Sequence, residues 1–195
     1  MNNPIAFAVA ALLLLATPGP TNTLLATSGA AAGVKRSAHL VGAELLGYLF
    51  SITTLALVVG PFVRNAHALG VALRVGCGAF LLYAAWRLWR EGSAALTSEE
   101  PVRFRRVLVA TALNPKAVVF AFAIVPYLAQ GQVAAAAPYM AALGAMIGAV
   151  GLAWISLGAG LRAGAHTSGG GVARRVGALV LCLFAVLISG SAFSA

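Results

Sequence analysis

Thr17-Pro18-Gly19-Pro20-Thr21-Asn22 interrupts the first apolar segment of this chain, and Asn114-Pro115-Lys116 interrupts the segment in the equivalent place half a chain-length later. Proline removes a backbone donor and clashes with the preceding turn, costing roughly 3 kcal/mol inside a helix in water. In a bilayer the freed carbonyls also lack water, so such breaks persist only where they are buried in protein or line a cavity. Two breaks in corresponding apolar segments point to a transporter built from repeats, with its binding site at the breaks.

Composition places the segments in a membrane. Hydrophobic residues make up 61% of the chain and charged residues only 9%, and mean hydropathy is +0.95. A soluble domain carries about 25% charged residues, so this chain could not clothe a water-facing surface. The net charge of +9 comes from cations in short stretches between apolar runs. With no polar surface to form a basic groove, nucleic acid is excluded as a partner.

Six spans follow from the apolar runs: Pro4–Thr27, His39–Val59, Ala66–Leu88, Phe104–Ala129, Ala134–Leu161 and Val172–Phe193. Each approaches or exceeds the roughly 20 helical residues that cross a hydrocarbon core. Ile5–Ala16 has the look of a signal-peptide core, but it lacks a basic flank and runs into Pro-Gly-Pro, so a retained helix is expected. Lys35 and Arg36, then Arg87, Arg90, Arg103, Arg105 and Arg106, then Arg162, Arg174 and Arg175 all fall in connections on one side. The other side holds Arg64 and little else. The positive-inside rule makes the basic side cytoplasmic and turns both termini outward. Three spans per half invert the second half relative to the first. The expected fold is therefore an all-α integral membrane protein of six transmembrane helices in two inverted three-helix repeats. Repeat one covers 1–90, a cytoplasmic linker 91–103 and repeat two 104–195, together one transmembrane domain over 1–195.

Pro4 to Thr17 is only ~21 Å of helix, too short to cross alone, so the chain must resume beyond Pro20. Thr21, Asn22 and Thr23 then open a half-helix whose N-terminus suits a carboxylate. Asn114 repeats the design as a cap, with Pro115 at a first helical position. Pro18, Gly19, Pro20, Asn22, Asn114, Pro115 and Lys116 are the candidate binding residues. A plain kink patched by neighbouring threonines is the alternative use of either break.

Lys116 falls deep in span four, where lysine costs ~2.5–3.5 kcal/mol and so avoids lipid. Glu44 is the one carboxylate within a span. Functionally, Lys116 is a counter-charge for a substrate carboxylate and Glu44 a partner for an amine or a proton. Structurally, the two form an ion pair, or Glu44 snorkels to the interface. Arg74, in the third span, reads as an anchor or packing charge.

Thr17-Pro18-Gly19-Pro20 with Gly29 and Gly33-Val34-Lys35-Arg36, the third-span run Arg74-Val75-Gly76-Cys77-Gly78-Ala79-Phe80-Leu81-Leu82-Tyr83-Ala84-Ala85-Trp86-Arg87, and Asn114-Pro115-Lys116-Ala117 with Pro126 occur in one order over nearly the whole chain. This pattern resembles the lysine-exporter (LysE/RhtB) family. The resemblance implies a small exporter of amino acids or related metabolites, generally driven by the proton-motive force. The chain departs from the family pattern around Glu44-Leu45-Leu46-Gly47-Tyr48. There, related proteins often carry small residues and a later acidic position.

Other motifs carry less. Cys77 and Cys182 are isolated packing residues without metal or redox spacing. His39, His67 and His166 form no ligand set, and no metal or cofactor is expected. Gly29-x-x-x-Gly33 and Gly144-x-x-x-Gly148, the latter with Gly151 and Gly158, offer close-packing faces within the bundle or a homodimer face. Tyr83, Trp86 and Trp89 suit an interfacial belt. No nucleophile–base set or phosphate loop occurs, so an enzyme or primary pump is not expected.

The combined expectation is an amino-acid exporter of a bacterial inner membrane. Its site lies between spans one and four, Glu44 carries the coupling proton, and one repeat rocks against the other. A transporter of an inorganic ion or other small metabolite, or a membrane scaffold subunit, is the alternative. The first needs more oxygen ligands than one acidic residue supplies, and the second needs no aligned breaks.

Overall fold

A computed structural model describes residues 4–65, 102–124 and 126–163, with isolated helical positions between 68 and 86 and at 182. The third and sixth spans as continuous helices, Arg74, Cys77, His67, His166, Trp89 and the linker 91–101 lie outside the described residues, as do the side chains of Arg64 and Arg162. The described residues are helical, with no strand among them.

Helix α1, Pro4–Ala16, is a run of alanine, leucine and other apolar residues that favours helix throughout. It buries Phe7, Ala11, Leu14 and Leu15 at helical spacing. It stops where Pro18 disfavours helical geometry in the residue before it. Gly19 is extended, and Pro20 opens α2, Pro20–Ser37, at a position where its missing N–H costs nothing. The two helices bend by 61°. Helix α2 runs ten residues past the expected end at Thr27, folding back on itself at Gly33 (φ 78, ψ 171). Essentially only glycine adopts that backbone region. The buried hydroxyls of Ser28 and Ser37 close the fold-back at 2.8 Å.

Helix α3, His39–Thr54, passes through a wide π turn, Leu55–Val59, into α4, Gly60–Asn65. Together they form an apolar rod, His39–Phe62, long enough to cross a membrane. Helix α5, Phe104–Ala112, breaks at Asn114-Pro115 and resumes as α6, Lys116–Val119. A second π turn, Phe120–Ile124, leads to α7, Pro126–Ala129. Both π turns lie just before a proline, Pro61 and Pro126. A proline ring collides with the carbonyl four residues back, and a widened turn moves that carbonyl aside. Gly131 (φ 78) then turns the chain into α8, the 31-residue helix Val133–Ala163.

The side-chain contacts fix helix directions. His39 stacks on Phe104 at 6.4 Å, and Ser51 Oγ donates to the Ala112 carbonyl at 2.9 Å, so α3 and α5 run parallel. Gly151 faces Val41 and Glu44 while Gly144 faces Leu45, so α8 runs antiparallel to α3. Two glycines bring α2 and α8 into backbone contact: Gly29 sits on the Ile155 carbonyl and Gly158 on the Ala26 carbonyl. Gly47 similarly packs α3 onto Leu108 and Thr111 of α5. Close approach through small residues is how helices associate without a hydrophobic drive. Ile5, Phe50, Phe62 and Leu113 are 74%, 67%, 65% and 79% exposed. Lipid, not water, suits such a surface.

The core is layered. One apolar cluster holds Phe7, Leu14, Tyr48, Ile52, Phe120, Leu143 and Ile147. The other holds Leu25, Leu40, Ala43, Val107 and Ile155. Each long element passes from one cluster to the other, and at the crossing each changes character. The chain between α1 and α2 crosses at Thr17–Asn22, α3 at Glu44, α5–α6 at Thr111–Lys116 and α8 at Gly151.

Candidate functional site

The two helix breaks meet in that crossing layer. Lys116 stands at the first position of α6 and is only 6% exposed. Its side chain passes over Gly19, where an added Cβ would lie 3.4 Å from Nζ. Nζ donates to the Thr17 carbonyl at 2.6 Å. That carbonyl belongs to the end of α1, where unsatisfied acceptors carry partial negative charge. The side-chain amide of Asn22 donates to the same carbonyl at 2.9 Å and to the Leu15 carbonyl at 2.7 Å. The broken end of α1 is thus capped by a lysine from the other half of the chain and an asparagine from the next helix.

Asn114 is the hub of the second break. Its Oδ1 accepts the Lys116 backbone N–H at 3.1 Å, closing a side-chain turn over Pro115. Its Nδ2 donates to Thr21 Oγ1 at 3.3 Å and to Tyr48 Oη at 3.2 Å. Thr21 and Thr111 hydroxyls share a hydrogen bond at 3.1 Å. Thr111 also donates to the Val107 carbonyl at 2.8 Å. Elements from both halves of the chain are therefore stitched through one buried polar network, and the Asn114 amide is committed to it.

Glu44 is 1% exposed, so it does not snorkel to an interface. It makes no ion pair with Lys116 either, whose ammonium is on Thr17. Oε2 of Glu44 is fully buried and has no hydrogen-bond partner among the described residues. Such a group bears a desolvation cost of about 1–3 kcal/mol, more when charged. Both structural readings of Glu44 drawn from the sequence therefore fail.

Of the expected residues, Gly19, Asn22, Asn114 and Lys116 come together, with Pro18 and Pro115 half-buried at the two breaks. Pro20 is exposed. Sequence reasoning missed Tyr48 and Thr111. Tyr48 lies one turn beyond Glu44 and Thr111 one turn before Asn114, so helical spacing puts each on the face of a residue already singled out. Among the described residues no group of His, Cys, Asp or Glu could hold a metal ion.

A family model described as LysE type translocator matches residues 12–192. No curated protein and no solved structure matches the chain. The match covers nearly all of the sequence, and the chain belongs to the LysE type translocator family.

Proposed function

We propose that this LysE type translocator, a multi-pass membrane protein and not an enzyme, exports amino acids or related small zwitterionic metabolites across a bacterial inner membrane by proton antiport. The observation that carries the reading is the buried Lys116 ammonium, held at the junction of both helix breaks by a neutral carbonyl rather than by a carboxylate. A carbonyl is a weaker partner for a cation than a carboxylate. A substrate carboxylate entering the layer therefore displaces Thr17 from Nζ, next to the positive end of α2. Pro18, Gly19, Pro20, Asn22, Asn114 and Pro115 shape that locus. Asn22 and Asn114 act chiefly by holding the breaks in place.

Glu44 is the proton carrier in this reading. A buried carboxylate without a fixed partner can exchange a proton as access alternates. Glycine contacts bring α2 onto α8, α3 onto α5 and α8 onto α3. In this reading one repeat rocks against the other as access alternates. Exposed Lys35, Arg36, Arg103, Arg105 and Arg106 flank the end where α3 and α5 begin, which supports a cytoplasmic location for that end and outward termini.

Efflux from proteoliposomes loaded with a panel of radiolabelled L-amino acids, with and without an imposed pH gradient, tests this function. Gradient-stimulated efflux of at least one amino acid is the expected result. Efflux no faster than from empty vesicles across the panel rejects it.

A further inference from the structure

Three of the four elements that cross the polar layer contribute polar side chains, and α8 contributes Gly151. A Cβ built at Gly151 would lie 2.6 Å from Glu44 Oε2, 3.4 Å from Val41 Cγ2 and 3.5 Å from Leu25 Cδ1. The last two distances are ordinary packing. The first is not, and it falls on the far end of a flexible side chain, so an added methyl moves the carboxylate and not the backbone. The remaining seam glycines of α8 differ. At Gly144 the nearest atom is Leu45 Cδ1 at 3.5 Å, and at Gly158 a Cβ would strike the Ala26 backbone. Gly151 is thus the α8 glycine whose place for a side chain is filled by a buried acid group with no hydrogen-bond partner among the described residues.

We infer that Gly151 is a positioning residue for Glu44: its bare backbone seats the carboxylate in the α3–α8 seam, at the level of the Lys116–Thr17 junction. A larger residue here pushes the carboxylate out of the seam while leaving the helix crossing intact. The inference rests on the proposed coupling role of Glu44 only for its effect on transport. The seating itself is independent of that role.

Infrared difference spectroscopy of the purified full-length protein across a pH jump, without substrate, reads the Glu44 acid directly. The chain has no aspartate, and its other glutamates, Glu91, Glu99 and Glu100, lie between spans three and four. The carboxylic C=O band that Glu44→Gln removes is the reporter. Gly151→Ala is expected to shift that band and its titration midpoint, Gly144→Ala to leave both unchanged, and Gly151→Ala with Glu44→Asp to restore the midpoint because the shorter acid withdraws from the methyl. An unshifted band and midpoint in Gly151→Ala overturn the inference. If Gly151→Ala does not fold, Gly151→Ala with Glu44→Ala decides. Recovery of folding supports the carboxylate contact, and continued failure shows that Val41 and Leu25 set the position and overturns it. Gradient-driven efflux that persists in Glu44→Gln rejects the coupling role, while the infrared shift in Gly151→Ala still reports the seating.

Discussion

Lys116 donates its ammonium to the carbonyl of Thr17 at 2.6 Å, tying the start of one broken half-helix to the end of another 99 residues away. The bond does two things at once. It satisfies an orphan acceptor at the α1 terminus, and it parks a buried cation where an anion can compete for it. In the proposed function, occupancy of the site and geometry of the break are coupled through this hydrogen bond.

The same carbonyl predicts what Asn22 contributes. Asn22→Leu removes the amide that caps Leu15 and Thr17 and leaves the Thr17 carbonyl to Lys116. A buried carbonyl deprived of its partner costs about 1–3 kcal/mol. Thermal unfolding in detergent should show a loss of that size. An unchanged midpoint would mean that another donor takes over.

Glu44 predicts the opposite sign. Replacing a buried, unpartnered acid with an apolar chain of similar size removes a desolvation cost of about 1–3 kcal/mol. Glu44→Met should therefore raise the unfolding midpoint while abolishing stimulation of efflux by a pH gradient. A gain in stability bought with lost function is the pattern of a working site.

The Thr21–Thr111 bond crosses between the halves of the chain. A double-mutant cycle with Thr21→Val and Thr111→Val should give a coupling of about 0.5–1.5 kcal/mol in unfolding free energy. Strict additivity would show that the two hydroxyls are held by their other partners alone.

Glycine substitutions along the bundle separate by what they meet. Gly29→Ala and Gly158→Ala drive a methyl into a facing carbonyl and should cost about 1–3 kcal/mol or more. Gly148→Ala and Gly160→Ala meet no atom within 4 Å among the described residues, and should stay within about 0.5 kcal/mol. Detergent thermostability of the four variants measures the contrast.

Much of this arrangement is readable from residues alone. Proline after a 13-residue apolar helix has few outcomes in a membrane, so Pro18 and Pro115 mark the breaks, and a lysine beside one of them can hardly face lipid. Thr111 was hidden because a hydroxyl in an apolar helix can always bond its own preceding turn, as Thr111 does with Val107. Its second bond, to Thr21, depends on tertiary register. Gly151 was legible only as a packing glycine, because which atom fills the place of a missing side chain is decided by the facing helix. The π turns had a signal in Pro61 and Pro126, though a kink or a break satisfies the same prolines. The Glu44–Lys116 ion pair was a fair expectation from charge alone. It fails because the Thr17 carbonyl, freed by the first break, holds the ammonium instead.

Comparison of Lys116→Ala with the parent chain tests the central claim most directly, using efflux of radiolabelled amino acid from proteoliposomes with matched amounts of inserted, monodisperse protein. Joining of the two breaks into one anion-accepting site predicts loss of gradient-driven efflux to the level of empty vesicles in Lys116→Ala. Efflux at the parent rate would contradict it and leave Lys116 as no more than the cap of α1.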